Sequence, residues 1–219
     1  MRLSLSTLLA AATLALVATN LTAQSDYSLR KATSKFSIGA GFGLGVTFPT
    51  GPLDSNLENT PGLSYRFGLN ARYPISRMFS ALLGIGGDFR QVGKKVSGQS
   101  SGQNYNFTYL FVEPGVEIRS FRASLNIGIP GGVKAPNPLD PNGDQIDPGS
   151  DVQEMLLEPR IGGTLVIMEN ERSWLGLNID GGIALNTFYK KDAAAFREND
   201  TPAAHSINLM LGATYQFGL

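Results

Sequence analysis

From Phe36 to Phe48 the chain alternates strictly. Phe36, Ile38, Ala40, Phe42, Leu44, Val46 and Phe48 are apolar, and Ser37, Gly39, Gly41, Gly43, Gly45 and Thr47 between them are small. A repeat of two is the period of an extended strand, whose side chains point to opposite faces in turn. The stretch carries no charge, as a membrane helix would, but four glycines at period two followed by Pro49 make a poor helix. The pattern predicts a strand with one oily face and one nearly bare face.

Seven further segments repeat it. Leu63 to Tyr73 alternates with Ser64, Arg66, Gly68, Asn70 and Arg72, and Phe79 to Phe89 alternates with Ser80, Gly84, Gly86 and Asp88, with Arg90 beyond. Tyr105 to Arg119 changes phase: Tyr105, Phe107 and Tyr109 start on the apolar face, and Val112, Pro114, Val116 and Ile118 take over opposite Glu113 and Glu117. Such a slip predicts a β-bulge near Leu110. Phe121 to Ile129, Leu157 to Ile167, Leu175 to Leu185 and Ile207 to Phe217 complete the set. The links alternate in length. Pro74–Arg77, Ser120 and Glu169–Ser173 are short, whereas Thr50–Gly62, Gly93–Asn104, Gly131–Gln153 and Lys190–Ala204 are long and polar. Strict alternation places short and long connections at opposite ends of an up-and-down meander, the asymmetry of transmembrane barrels. The fold expected is all-β, an eight-stranded antiparallel up-and-down transmembrane β-barrel over residues 35–219.

The first 23 residues read as an address. Met1-Arg2 is a basic start, Leu8 to Val17 is an apolar run, and Leu21-Thr22-Ala23 suits cleavage before Gln24. The competing reading, a membrane anchor, has an uncharged run from Leu3 to Thr19 at the bottom of the spanning range. A signal peptide at 1–23 is preferred because the apolar heart is short and small residues follow it. Residues 24–34 read as a short polar N-terminal segment. The chain has 18 basic and 18 acidic residues and no cysteine. The charge balance argues against nucleic acid as a partner, and the missing thiols exclude a disulfide framework, a cysteine zinc site and a thiol nucleophile.

Two kinds of barrel fit the meander. A soluble lipocalin-like barrel turns its apolar face inward around a lipophilic ligand, and a membrane barrel turns it outward to lipid. The other face decides between them. It carries Arg66, Arg72, Asp88, Arg90, Glu113, Glu117, Arg119, Arg122, Glu158, Arg160 and Asp180 among Gly, Ser, Asn and Thr. Arginine suits buried bidentate pairing with carboxylates. An interior ionic network of Arg66, Asp88, Arg90, Glu113, Glu117, Arg119, Glu158, Arg160 and Asp180 is therefore expected, in a lumen filled by its own side chains. Aromatics near strand ends (Phe36, Phe48, Tyr65, Tyr73, Phe79, Phe89, Trp174, Tyr189, Tyr215 and Phe217) suggest interfacial girdles. Each segment supplies the about 9–11 tilted residues that a spanning strand needs.

The leader, the eight strands, the glutamate-proline pairs in Tyr109-Leu110-Phe111-Val112-Glu113-Pro114 and Leu156-Leu157-Glu158-Pro159-Arg160, and the ending Ala213-Thr214-Tyr215-Gln216-Phe217 carry a resemblance. Together they resemble small outer-membrane β-barrels of the PorT-like and OmpA-like kind, of porin-family type. The resemblance implies a Gram-negative outer membrane, lipid and the barrel-insertion machinery as partners, and an envelope or secretion complex as a further one. Such barrels usually end on an aromatic residue that the insertion machinery recognises, whereas here Gly218-Leu219 follows Phe217. No peptidoglycan-binding domain follows, so an anchoring role is not implied.

Catalytic constellations are scarce. His205 is the one histidine, and its neighbour Ser206 lies on the opposite strand face, so they cannot form a base–nucleophile pair. Gly39 to Gly45 mimics a dinucleotide loop, but the third glycine is misplaced and no helix follows. Asp140, Asn142 and Asp144 give a calcium candidate in a proline-rich link that lacks the spacing of an EF-hand. The function expected is non-enzymatic, a structural or interaction role in the envelope with no wide pore and no cofactor. The alternatives are the lipocalin-like carrier and a lipid-modifying outer-membrane enzyme.

Overall fold

A computed structural model describes residues 36–50, 57–76, 78–96, 103–135, 153–170, 172–188 and 205–219. The leader, residues 24–34, Tyr189 and the calcium candidate Asp140, Asn142 and Asp144 lie outside them. The described residues form nine strands: β1 Ser37–Thr50, β2 Leu57–Thr60, β3 Gly62–Pro74, β4 Phe79–Val96, β5 Gln103–Ile118, β6 Phe121–Lys134, β7 Leu156–Glu169, β8 Ser173–Ile183 and β9 His205–Gly218. Eight of them close a ring in which chain neighbours pair antiparallel. The last seam joins β1 to β9, from Ser37↔Gly218 to Thr50↔His205. Closure gives the ladder groups partners all round the ring and abolishes the open edge.

β2 is an addition to the eight expected strands. It pairs with the far end of β4, from Leu57↔Val96 to Thr60↔Gly93. Between Thr60↔Gly93 and Ser64↔Arg90 the register shifts by one residue. β2 and β3 are thus one strand broken at Pro61, which has no N–H to give the ladder. The second long link is also shorter than expected, because β4 runs on to Val96 and β5 starts at Gln103.

The bulge expected near Leu110 is absent. β4 and β5 pair without a slip from Phe79↔Ile118 to Lys94↔Gln103. Tyr105, Phe107, Tyr109, Phe111, Glu113 and Glu117 all face inward, with Leu110, Val112, Pro114 and Ile118 outward. What changes along β5 is the chemistry of the interior, from aromatic to acidic. The irregularity belongs to β6, where Gly131 is the extra residue between Tyr109↔Pro130 and Thr108↔Gly132, and Gly132 takes φ +144°.

The apolar stripes face outward. Leu211 is 65% exposed, Leu69 62% and Phe67 50%, whereas Asp88 and Glu158 on the opposite face are fully buried. The glycines of β1, β3 and β4 leave bare wall on the inside, and bulky side chains from nearby strands lean over it. A Cβ at Gly43 would stand 3.2 Å from the Met210 methyl, and one at Gly84 would stand 3.5 Å from the Phe111 ring. This is the volume complementarity that lets eight strands enclose a filled core.

Both described chain ends and the three short turns lie at one end of the barrel. Ser76 N–H donates to the Phe79 carbonyl at 3.0 Å, and Asn170 Oδ1 accepts from the amides of Arg172 and Ser173 at 3.0 and 2.7 Å. Arg119-Ser120 alone connects β5 to β6, and Arg119 sits at φ +58°. Arg119 therefore corrects the expected network: it is an exposed turn residue, because a two-residue hairpin needs a positive φ at its first position. The left-handed conformation costs a non-glycine residue about 1 kcal/mol. Arg119→Gly removes that strain at some cost in chain entropy and should stabilise the barrel by up to about 1 kcal/mol, read as a higher urea midpoint of the folded band on cold gel electrophoresis. An unchanged or lower midpoint would contradict the strain.

Candidate functional site in the barrel lumen

The interior is layered along the axis. Nearest the short turns lies a polar vestibule. Arg72 Nε donates to Glu117 Oε1 at 3.1 Å, Ser37 Oγ to Gln216 Oε1 at 3.1 Å, and Thr164 Oγ1 to Asn178 Oδ1 at 2.8 Å, with Asn178 Nδ2 donating on to Thr214 Oγ1 at 2.5 Å. A cavity of about 110 Å³ opens among these groups and Trp174. That volume suits a few ordered waters and nothing larger than a very small solute.

Deeper in, Arg66 pairs with Glu113, which also accepts from Ser124 Oγ. The Arg66 guanidinium lies over the Phe111 ring, 3.5 Å from its centroid. This arrangement combines an ion pair with a cation–π contact on the wall of that same cavity. Arg122 bridges from Asp180 at 3.4 Å to Glu113 at 3.9 Å.

The next layer spans the barrel. Asp88 and Arg90 are two apart on β4, so they share a face, and Arg90 grips Asp88 through Nε at 3.0 Å and Nη2 at 2.7 Å. The same Nη2 reaches Glu158 of β7, two strands beyond β5. Glu158 accepts from Arg160 Nη1 at 2.9 Å, and Arg160 donates through Nε to Asp180 at 2.9 Å. Amides fill the remaining positions. Asn126 Nδ2 donates to Asp88 at 3.1 Å, while Asn208 Nδ2 reaches Thr47 and Ser64 hydroxyls, each at 2.9 Å. With Arg119 outside, five arginines (66, 72, 90, 122 and 160) face five carboxylates (88, 113, 117, 158 and 180) in the described lumen. The set is electrically closed.

Towards the long links the lumen turns apolar. Val92, Tyr105, Phe107, Tyr109, Val133, Leu156 and Phe188 form a buried cluster, in which Phe107 and Phe188 stack at 4.6 Å. Apolarity along β5 points these rings outward, whereas their parity on the strand places them inside. Tyr105, Phe107 and Tyr109 have the parity of Glu113 and Glu117, and that signal was available.

The girdle residues divide. Phe36, Tyr73, Tyr215 and Phe217 are exposed near the short turns, with Phe79 half-buried there. Phe48, Tyr65 and Phe89 sit towards the other end, Tyr65 and Phe89 stacked at 4.6 Å. Trp174 is a correction. It is buried in the vestibule, because it has the parity of Gly176, Asn178 and Asp180. His205 opens β9 and is exposed, with Nδ1 3.1 Å from the Ala184 carbonyl, while Ser206 is buried on the other face. Among the described residues no group of three His, Cys, Asp or Glu side chains could hold a metal ion.

Truncating one member of a buried ion cluster strands the others. Glu158→Ala leaves Arg90 and Arg160 facing a void and should lower stability by about 3–5 kcal/mol. Glu58→Ala, which breaks the partly exposed Glu58–Lys95 pair (3.3 Å), should cost under about 1 kcal/mol. Urea titration of both variants after refolding into detergent checks the contrast, and equal losses would contradict it.

No protein-family model matches the chain, and no curated protein matches it by sequence. Among solved structures, Neisserial surface protein A aligns at TM-score 0.45 and 9% identity, over 84% of this chain and 97% of that one. Outer membrane protein OprG from Pseudomonas aeruginosa aligns at 0.35 and 14%, over 85% and 97%. The translocator domain of autotransporter NalP from Neisseria meningitidis aligns at 0.29 and 11%, over 96% and 97%. The fold is defined by this chain's own closed strand register.

Proposed function

We propose that the chain is an integral outer-membrane β-barrel of a Gram-negative envelope, non-enzymatic, with a plugged lumen, acting through its surfaces. One observation carries the reading: a continuous apolar exterior around an interior that holds ten charged side chains in pairs. In water that exterior would be a very large apolar patch, far beyond what soluble monomers expose. In lipid it is the favoured arrangement. The lipocalin-like alternative needs the reverse orientation, and an enzyme would need a base beside a nucleophile where His205 and Ser206 diverge.

Short periplasmic turns and long outer loops are the rule for such barrels, so the described chain ends face the periplasm in this reading. The lumen does not conduct: the Asp88–Arg90–Glu158–Arg160 layer and the aromatic cap lie in series across it. Function then falls to the outer rim, the lipid-facing wall and the vestibule mouth. The PorT-like resemblance adds an envelope or secretion complex as the partner and the barrel-insertion machinery as the route into the membrane.

Two measurements test this. The protein in isolated membranes should resist carbonate extraction and migrate faster unboiled than boiled. In planar bilayers it should give no steady porin-like current. Release by carbonate, or stable open-channel steps, would overturn the reading.

A further inference from the structure

The vestibule differs from the ionic layer behind it in how far solvent enters. Asp88, Arg90, Asn126 and Glu158 have almost no exposed surface. Asn70, Arg122, Asn178 and Asp180 also face inward, yet they stay partly exposed, and all four border the cavity of about 110 Å³. Three arginines (66, 72 and 122) and three carboxylates (113, 117 and 180) line that cavity, so its wall carries both signs in equal number. A concave space with a few convergent polar groups is the usual form of a small-molecule site.

Two groups in the wall are incompletely used. Asn70 Oδ1 is buried without a hydrogen-bond partner. The residue stands on β3 between Gly39 of β1 and Gly84 of β4, its register partners, and neither has a side chain to offer it a donor. Arg122 is the other. Its Nη2 lies 3.4 Å from Asp180 and 3.9 Å from Glu113, longer than the about 2.7–2.9 Å of a charge-assisted bond. Both acids have a closer arginine, Arg160 for Asp180 and Arg66 for Glu113. The wall thus presents an acceptor without a donor and a guanidinium without a close acceptor.

The balance of charge restricts what can fill the space. A net ion would bring an uncompensated charge into the lumen, and an apolar solute would strip water from charged groups and return no bond. A neutral molecule with separated charges meets both unused groups, and the volume admits only the smallest of these. We propose that the vestibule binds a small zwitterion, an α-amino acid of glycine or alanine size, whose carboxylate takes Arg122 and whose ammonium donates to Asn70 Oδ1. The ionic layer from Arg90 to Glu158 makes the site a dead end. The site rests on the plugged barrel proposed above and adds a ligand to it, and the test reads the two separately.

Trp174 is the one tryptophan of the chain and lines the cavity, so it serves as the reporter. The protein refolded in detergent, its barrel verified by faster migration unboiled than boiled, is titrated with glycine and with alanine. Trp174 emission should change saturably, and magnetisation transfer from the protein to the amino-acid Cα protons should rise with it. Asn70→Leu and Arg122→Gln should each weaken binding by about tenfold or more, and either variant suffices where the other does not refold. Acetate and methylammonium, which keep one charge, and acetamide, which keeps neither, should bind about tenfold more weakly or not at all. Silence of both readouts for both amino acids, in a protein that migrates as a barrel, overturns the site and leaves the barrel standing. Acetamide binding as tightly as glycine, or an unchanged affinity in a refolded variant, overturns it equally. A wild-type protein without the migration shift overturns the barrel, and the site with it.

Discussion

Arg90 reaches across the lumen from β4 to Glu158 of β7, and the interior is organised around that contact. Each of the two residues also holds a partner on its own strand, Asp88 and Arg160, so the four make a chain from one wall to the other. Full burial makes the chain costly to assemble and costlier to leave incomplete. The closed charge balance follows from that cost, as does the crowding of Asn126 and Asn208 around the carboxylates and guanidinium groups.

The layers on either side of it differ for a physical reason. Towards the short turns the groups are polar and a small cavity remains, as suits contact with water. Towards the long links the rings of Tyr105, Phe107, Tyr109 and Phe188 pack into an oily compartment. The barrel therefore has two unlike chambers separated by an ionic floor. The plugged lumen is a reading of that division.

Legibility tracked periodicity. Because side chains on a strand alternate without exception between bulges, the apolar stripes from Phe36 to Phe217 announced eight strands and a two-faced wall. Where parity was carried through, the assignment of residues to faces followed it, as for Arg66, Asp88, Glu113 and Glu158. It was wrong where residue type was allowed to outvote parity. Tyr105, Phe107 and Tyr109 have the composition of an outer face but the parity of the inner one, and the bulge lies in β6, not β5. Trp174 looked like a girdle residue and lines the vestibule. Arg119 had the right parity but stood in a two-residue turn, where parity has no meaning.

The sequence by itself determined the strand period, the alternation of short and long links, and the supply of matched arginines and carboxylates on one face. Each is a property of neighbours along the chain, and the pleat turns it directly into geometry. Only the tertiary structure decided which arginine meets which acid, because partners such as Arg90 and Glu158 lie 68 residues apart and meet through the curvature of a closed ring. The same holds for the aromatic cap, which gathers side chains from β4, β5, β6, β7 and the stretch after β8. Their meeting is a matter of register around the barrel that no local pattern encodes.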